Sequence, residues 1–210
     1  MNEKFYSLSL DMQQSIINAG MQVFAENDYK NASADLIASK AGISKGLLFY
    51  YFQNKKELYL YIYHYLAEIM IDQIVDIQLK ELTDFFEVLR YAARNKVKAL
   101  QKNPFILDFA MRAFYLEKES VAKQVNAFNN EQENQLYNVY FGQIDEYKFK
   151  AGVDPYRVYK MIRWMADGFV HDMRISGKTL NLEVMEKAFN EWLVLMKKLA
   201  YKEEYQDECY

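Results

Sequence analysis

Glycine and proline are scarce. The 210 residues hold Gly 7 and Pro 2, where an average chain would carry roughly 12% of the two together. Tight turns and hairpins depend on these residues, so a β sandwich, a barrel or a Rossmann-type fold is disfavoured and a few long helices are expected. Cysteine is nearly absent. The single Cys209 excludes a disulfide framework and any multi-thiolate metal site, and suits a reducing cytosol. The longest apolar stretch, Leu58 to Ile71, is interrupted by His64 and Glu68 and is shorter than the ~20 residues of a membrane span. The opening Met1-Asn2-Glu3-Lys4-Phe5-Tyr6 has no apolar core of signal-peptide length. A cytoplasmic protein with no membrane segment is the expectation. The sequence also holds no Gly-rich phosphate loop, nucleophile elbow or metal-ligand signature. No enzyme, catalytic residue, metal or cofactor is expected.

What is present is ordinary globular material, 51% hydrophobic and 26% charged, enough for one large domain or two small ones. The formal net charge of −3 argues at first against a nucleic-acid partner. Its distribution weakens that argument, because the last ten residues set Lys202 against Glu203, Glu204, Asp207 and Glu208 and account for all of it. Between Lys40 and Lys56 stand Lys40, Lys45, Lys55 and Lys56 with no acid, a modest local basic patch.

Helix punctuation predicts an all-α fold of about nine helices. Ser9 caps a first helix running to about residue 27. Ser33 caps a short second one, 34–41, stopped by Gly42, which takes a left-handed conformation without strain. Ser44 caps a third, 45–52, and a fourth runs from about 55 to 79. Asp84 to Glu87 has capping-box spacing and opens 85–102. Asn103-Pro104 and Asp154-Pro155 open 104–117 and 155–176 with proline at the first helical position. Ser120 caps 121–142, and Asn181 precedes 182–203. The alternating Tyr59, Tyr61, Tyr63 and Tyr65 mimic a strand, but helical context continues on both sides. The domain boundary is placed after residue 54.

Function concentrates at the second and third helices. Their connection, Gly42-Ile43-Ser44, has the length of a helix-turn-helix turn, which lets the second of the two lie in a major groove. On its wheel Leu48, Tyr51 and Phe52 share a core face. Gly46, Phe49 and Tyr50 lie opposite, flanked by Lys45 and Leu47. The series Ile16-Ile17, Ala19-Gly20, Val23-Phe24, Tyr29, Ser33, Ile37-Ala38, Ala41 to Phe52 and Lys55-x-Glu57-Leu58 resembles the DNA-binding domain of the tetracycline-repressor (TetR) family. The resemblance implies that 1–54 is a DNA-binding domain and 55–210 a helical ligand-binding and dimerisation domain. It also implies a palindromic operator in double-stranded DNA, a homodimer, and a small apolar or amphipathic effector that releases the operator.

Carried over to this sequence, Ser33, Ser44, Lys45, Gly46, Leu47, Phe49, Tyr50, Tyr51 and Lys55 are the expected DNA-contacting residues. Lys45 and Lys55 suit phosphates, and Ser33 offers a hydroxyl or helix-terminal N–H groups. Three positions depart from the family pattern. Phe49 replaces a tyrosine, Asp28 a glycine and Gly20 an alanine, the last at roughly 1 kcal/mol of helix propensity. The reading face lacks Arg, Asn and Gln, the usual makers of bidentate base contacts. Leu47 and Phe49 are therefore expected to meet thymine methyls, with DNA shape supplying further specificity.

In the last helix Leu182, Met185, Phe189, Trp192, Met196 and Leu199 repeat at heptad a/d spacing, and Val158, Ile162, Met165 and Phe169 form a companion stripe. These residues can build a dimer interface or pack within their own domain. For the effector, Phe86, Arg90, Phe105, Phe109, Arg112, Phe128, Tyr137 and Tyr140 are the candidate lining, since aromatics adapt to greasy ligands. His64, Glu68 and Asp72 share a helix face but read as surface rather than as metal ligands, and Asp167 with His171 reads as a structural pair. The alternative function is a helical protein- or lipid-binding module that has lost DNA binding.

Overall fold

In the computed structural model the described residues are 3–101, 104–114, 116, 119–177 and 181–207. They form ten α-helices: α1 (Leu10–Glu26), α2 (Ala34–Lys40), α3 (Lys45–Phe52), α4 (Lys55–Ile74), α5 (Ile77–Glu81), α6 (Phe85–Gln101), α7 (Pro104–Phe114), α8 (Ala122–Phe141), α9 (Pro155–Ile175) and α10 (Leu182–Ala200). The all-α expectation is borne out, and most caps are where the sequence puts them. Ser9, Ser33, Ser44 and Asn181 accept N–H bonds from the first turns of α1, α2, α3 and α10. Asp84 accepts from Phe86 and Glu87, and Asp154 from Tyr156. The expected cap at Asn103 and the residue Cys209 lie outside the described residues.

Three boundaries differ from expectation. The fourth helix stops at Ile74 instead of running to 79, because Asp76 is extended and its carboxylate caps a separate α5 through the Leu79 N–H at 2.9 Å. A short polar side chain that bonds the backbone ahead of it competes with helix continuation. The eighth helix starts after Val121, and the exposed Ser120 does not cap it. The last helix ends at Ala200, where Tyr201 becomes extended and bridges antiparallel to Phe149.

The chain divides into two compact units, Met1–Asp72 with Ala99–Glu133, and Gln73–Lys98 with Asn134–Tyr210. This division does not follow the expected boundary after residue 54, since α7 and the first part of α8 group with the helix-turn-helix. In the first unit α7 lies along α1, and the fully buried Phe109 meets Tyr59 at 5.2 Å and Phe24 at 6.3 Å between ring centroids. Burying each such ring contributes about 1.5–3 kcal/mol. Gly20 serves the approach of α4 to α1. A Cβ added there would stand 2.4 Å from Ile62 Cδ1.

In the second unit Phe85, Phe86, Phe141, Phe149 and Tyr201 form an aromatic core. Beside it the buried Lys148 ammonium bonds Asp84 at 3.2 Å and Asp145 at 3.3 Å. The Tyr201 hydroxyl accepts from the Phe85 N–H at 3.2 Å. Burial and the neighbouring carboxylates push the Tyr201 pKa far above the ordinary phenol value.

Candidate nucleic-acid interface

The turn between α2 and α3 is closed by its backbone. Ile43 N–H reaches Ala38 O at 3.0 Å and Gly42 N–H reaches Ser39 O at 3.1 Å, with Gly42 at φ +72°. This paired arrangement ends a helix and needs a left-handed residue at the glycine. Ser44 then restarts the chain, its hydroxyl accepting from the Leu47 N–H at 3.1 Å. Leu48, Tyr51 and Phe52 are buried under α3. Ser44, Lys45, Gly46, Leu47 and Tyr50 are exposed, and Phe49 is half-buried. The reading helix therefore presents a small, weakly polar tip to solvent.

Individual residues separate within this set. Lys45 pairs with Asp35 at 2.8 Å, but both side chains are well exposed, at 49% and 70%. Such a pair is worth little, so the ammonium can exchange its carboxylate for a phosphate. Ser33 is exposed and its hydroxyl caps α2 through the Leu36 N–H at 3.4 Å.

Tyr51 and Lys55 depart from the expectation. Tyr51 is 7% exposed and packs edge-on against Phe5 at 6.0 Å, which makes it a support of α3. Lys55 donates to the backbone oxygens of Tyr29 at 2.6 Å, Lys30 at 3.1 Å and Ala32 at 2.9 Å, with its ammonium 4.7 Å from the Tyr29 ring centroid. An ammonium has three donors, and here they tie the α1–α2 loop to the start of α4.

Arg112 acts on the same loop from α7. Its guanidinium bonds the carbonyls of Ala25 and Glu26 at the end of α1 and pairs with Asp28 at 2.9 Å. A cation satisfies the last carbonyls of a helix and matches the negative end of its dipole. Arg112 is thereby placed away from the effector-lining role the sequence suggests. Asp28, the residue in place of the family's glycine, supplies the acid.

The remaining effector candidates are divided between the two units. Phe105, Phe109 and Phe128 belong to the first unit. Phe86, Arg90, Tyr137 and Tyr140 belong to the second. Phe86 and Phe109 are fully buried and serve as core. Arg90 forms an ion pair with Glu87 one turn earlier. Phe128 is half-buried and stacks on His64 at 4.3 Å. Burial pulls the His64 pKa below the ordinary imidazole value, against the opposing effect of Glu68. Tyr137 packs on Tyr156 at 4.8 Å. Tyr140 lines a cleft of 170 Å³ with Leu79, Lys80, Leu82, Val139 and Gln143, small beside the roughly 300–1,000 Å³ of a typical ligand site. Among the described residues no group of three or more His, Cys, Asp or Glu is arranged to hold a metal, and no helix is long and apolar enough to cross a membrane.

The heptad stripe of α10 is used within the unit. Val158, Ile162 and Met196 are buried, Met165, Met185 and Phe189 are half-buried, and Trp192 packs on Phe169 at 5.4 Å. Leu199 of that stripe stays open, as do Met161, Trp164 and Ile175 on α9 and Val184 and Leu195 on α10, between 47% and 69% exposed. Apart from Leu199, none of these belongs to the expected stripes. The signal was there, since a single stripe leaves these apolar residues unexplained.

These features define a helix-turn-helix, and comparisons with known proteins show what the chain is similar to. Residues 16–62 match the family of bacterial regulatory proteins, tetR family. The uncharacterized HTH-type transcriptional regulator YhgD of Bacillus subtilis (strain 168) is 35% identical over 52 residues, 25% of this chain and 27% of that protein. The fatty acid metabolism regulator protein of the same organism is 35% identical over 48 residues, 23% of this chain and 25% of that protein. The match thus spans about a quarter of the length of these curated relatives.

Among solved structures, the fatty acid degradation regulator FadR from Bacillus halodurans superposes with a TM-score of 0.69 at 22% identity, covering 86% of this chain and 96% of that one. FadR from Bacillus subtilis in complex with stearoyl-CoA gives 0.68 at 20% identity, with the same coverage of 86% and 96%. SmeT, the repressor of the Stenotrophomonas maltophilia multidrug efflux pump SmeDEF, gives 0.66 at 15% identity, covering 92% and 93%. Residues 16–62 of this chain thus match the tetR-family model, and the chain shares its fold with these solved structures.

Proposed function

We propose that the chain is a dimeric, effector-responsive DNA-binding repressor. The observation that carries this reading is the α3 tip. Leu48, Tyr51 and Phe52 anchor the helix from below while Ser44, Lys45, Gly46, Leu47 and Tyr50 are presented outward. A lone helix-turn-helix reads too few base pairs, and two half-sites about one helical turn apart repair this. The exposed apolar residues Met161, Trp164, Ile175, Val184, Leu195 and Leu199 support pairing of two copies, because exposed apolar surface marks interaction sites when it forms a patch.

The effector is an amphipathic molecule with a long apolar part, of the acyl-CoA or fatty-acid kind. The resemblance to two fatty-acid regulators, one of them solved with stearoyl-CoA, supports this choice.

The test is salt-dependent binding to a duplex that the protein selects from a randomised library. The expected result is a log–log slope of about −0.9 for each phosphate contacted, and release of the duplex by long-chain acyl-CoA. Binding absent at low salt, with a protein or a vesicle captured instead, overturns the reading in favour of a module that has left DNA.

A further inference from the structure

The cations expected to meet the DNA backbone are fewer in the structure than in the sequence. Lys55 is committed to three carbonyls, which leaves the exchangeable Lys45. Another lysine stands at the reading helix, supplied by the segment before α1. Residues Glu3–Phe5 form a single 3-10 turn, held by Tyr6 N–H to Glu3 O at 3.1 Å and by the Ser7 hydroxyl to Lys4 O at 2.8 Å.

Phe5 fixes the turn in place. Its ring is fully buried, 4.9 Å from Phe52, 5.2 Å from Tyr61 and 6.0 Å from Tyr51. The neighbouring Lys4 thereby lands with its ammonium 5.3 Å from the centroid of the Tyr50 ring. Tyr50 is 46% exposed, on the face of α3 away from the core.

We propose that Lys4 and Tyr50 together form a DNA phosphate-binding pair at the edge of the reading surface, so that the segment before α1 contributes a backbone contact of its own. The inference rests on the DNA-binding reading above and adds a residue to it. An ammonium carries three N–H donors and a phenol one O–H donor. A phosphate oxygen within reach of both accepts one bond from each, and bonds to an ionised acceptor are the strong ones. The Tyr50 hydroxyl, by hydrogen-bonding the ammonium, pushes the Lys4 pKa above the ordinary lysine value, so the charge is complete at neutral pH. The pair positions the protein on the duplex and carries no base information, as phosphate contacts generally do.

The experiment compares full-length wild type, Lys4→Met, Lys4→Arg and Tyr50→Phe on a library-selected duplex and on a scrambled one, each across a salt series. Loss of one phosphate contact makes the slope shallower by about 0.9 and weakens binding about eightfold at 0.1 M salt. Lys4→Met is expected to do this equally on both duplexes, with its melting temperature unchanged. Lys4→Arg keeps the wild-type slope, and Tyr50→Phe loses part of the affinity. A wild-type slope in Lys4→Met, or an arginine variant as weak as the methionine one, overturns the proposal while leaving the DNA reading intact. A wild type without salt-dependent binding sinks both.

Discussion

Lys55 sits at the start of α4 in a position that the family resemblance assigns to DNA, yet its three donors point into the protein. Replacing it by methionine keeps the stem and removes three hydrogen bonds to the carbonyls of Tyr29, Lys30 and Ala32. Bonds from a charged group contribute about 1.5–3 kcal/mol each where water is excluded. Two of these are part-buried and the one to Lys30 is exposed, and the freed carbonyls regain some water. A net loss of about 2–3 kcal/mol follows for Lys55→Met. For a chain of this size that is a fall of about 4–12 °C in melting temperature. The assay is thermal unfolding followed by circular dichroism, run beside the salt series for DNA binding. A structural Lys55 lowers the melting temperature and leaves the salt slope near wild type. A variant that melts with wild type but whose slope is shallower by about 0.9 would refute this reasoning and return Lys55 to the phosphate backbone.

Other substitutions probe other parts of the molecule. Because burial holds the His64 pKa below its unfolded value, the folded chain binds fewer protons there. Stability is then highest above the unfolded pKa of about 6.5 and falls as pH drops through the lowered one. His64→Phe should flatten this loss when melting is compared at about pH 7.5 and about pH 5. Lys148→Met strips the shared cation from Asp84 and Asp145, whose side chains are 13% and 25% exposed. An unpaired buried charge costs about 3–5 kcal/mol, and denaturant unfolding with a wild-type midpoint would contradict the buried network. On α10, Leu195→Asp with Leu199→Asp should convert a sedimenting dimer to monomer with unchanged helicity. A variant that stays dimeric places the interface elsewhere.

The helix-turn-helix was legible because its determinants are local. Ser33, Gly42 and Ser44 act on backbone within a few residues, and the apolar period of Leu48, Tyr51 and Phe52 names a buried face without knowledge of what covers it. The same holds for the caps at Ser9, Asp84, Asp154 and Asn181. The break at Asp76 was open to the same logic, since an aspartate three residues before Leu79 is a cap. The long apolar pattern around it hid the signal.

The roles of single polar side chains were not legible. Lys55 and Arg112 look alike to a sequence reading, as cations available to a phosphate or a ligand. Their partners are main-chain oxygens 23 to 26 and 86 to 87 residues away, and no spacing rule encodes a backbone acceptor brought near by folding. Gly20 shows the same limit, since propensity alone favours alanine there by roughly 1 kcal/mol and only the arrival of Ile62 gives the missing methyl a cost. The sequence by itself determined the all-helical character, the turn and most of the helix caps, because those depend on neighbours along the chain. The tertiary structure decided which apolar residues on α9 and α10 are buried and which stay exposed. Two apolar rows on one helix are told apart by what packs against them.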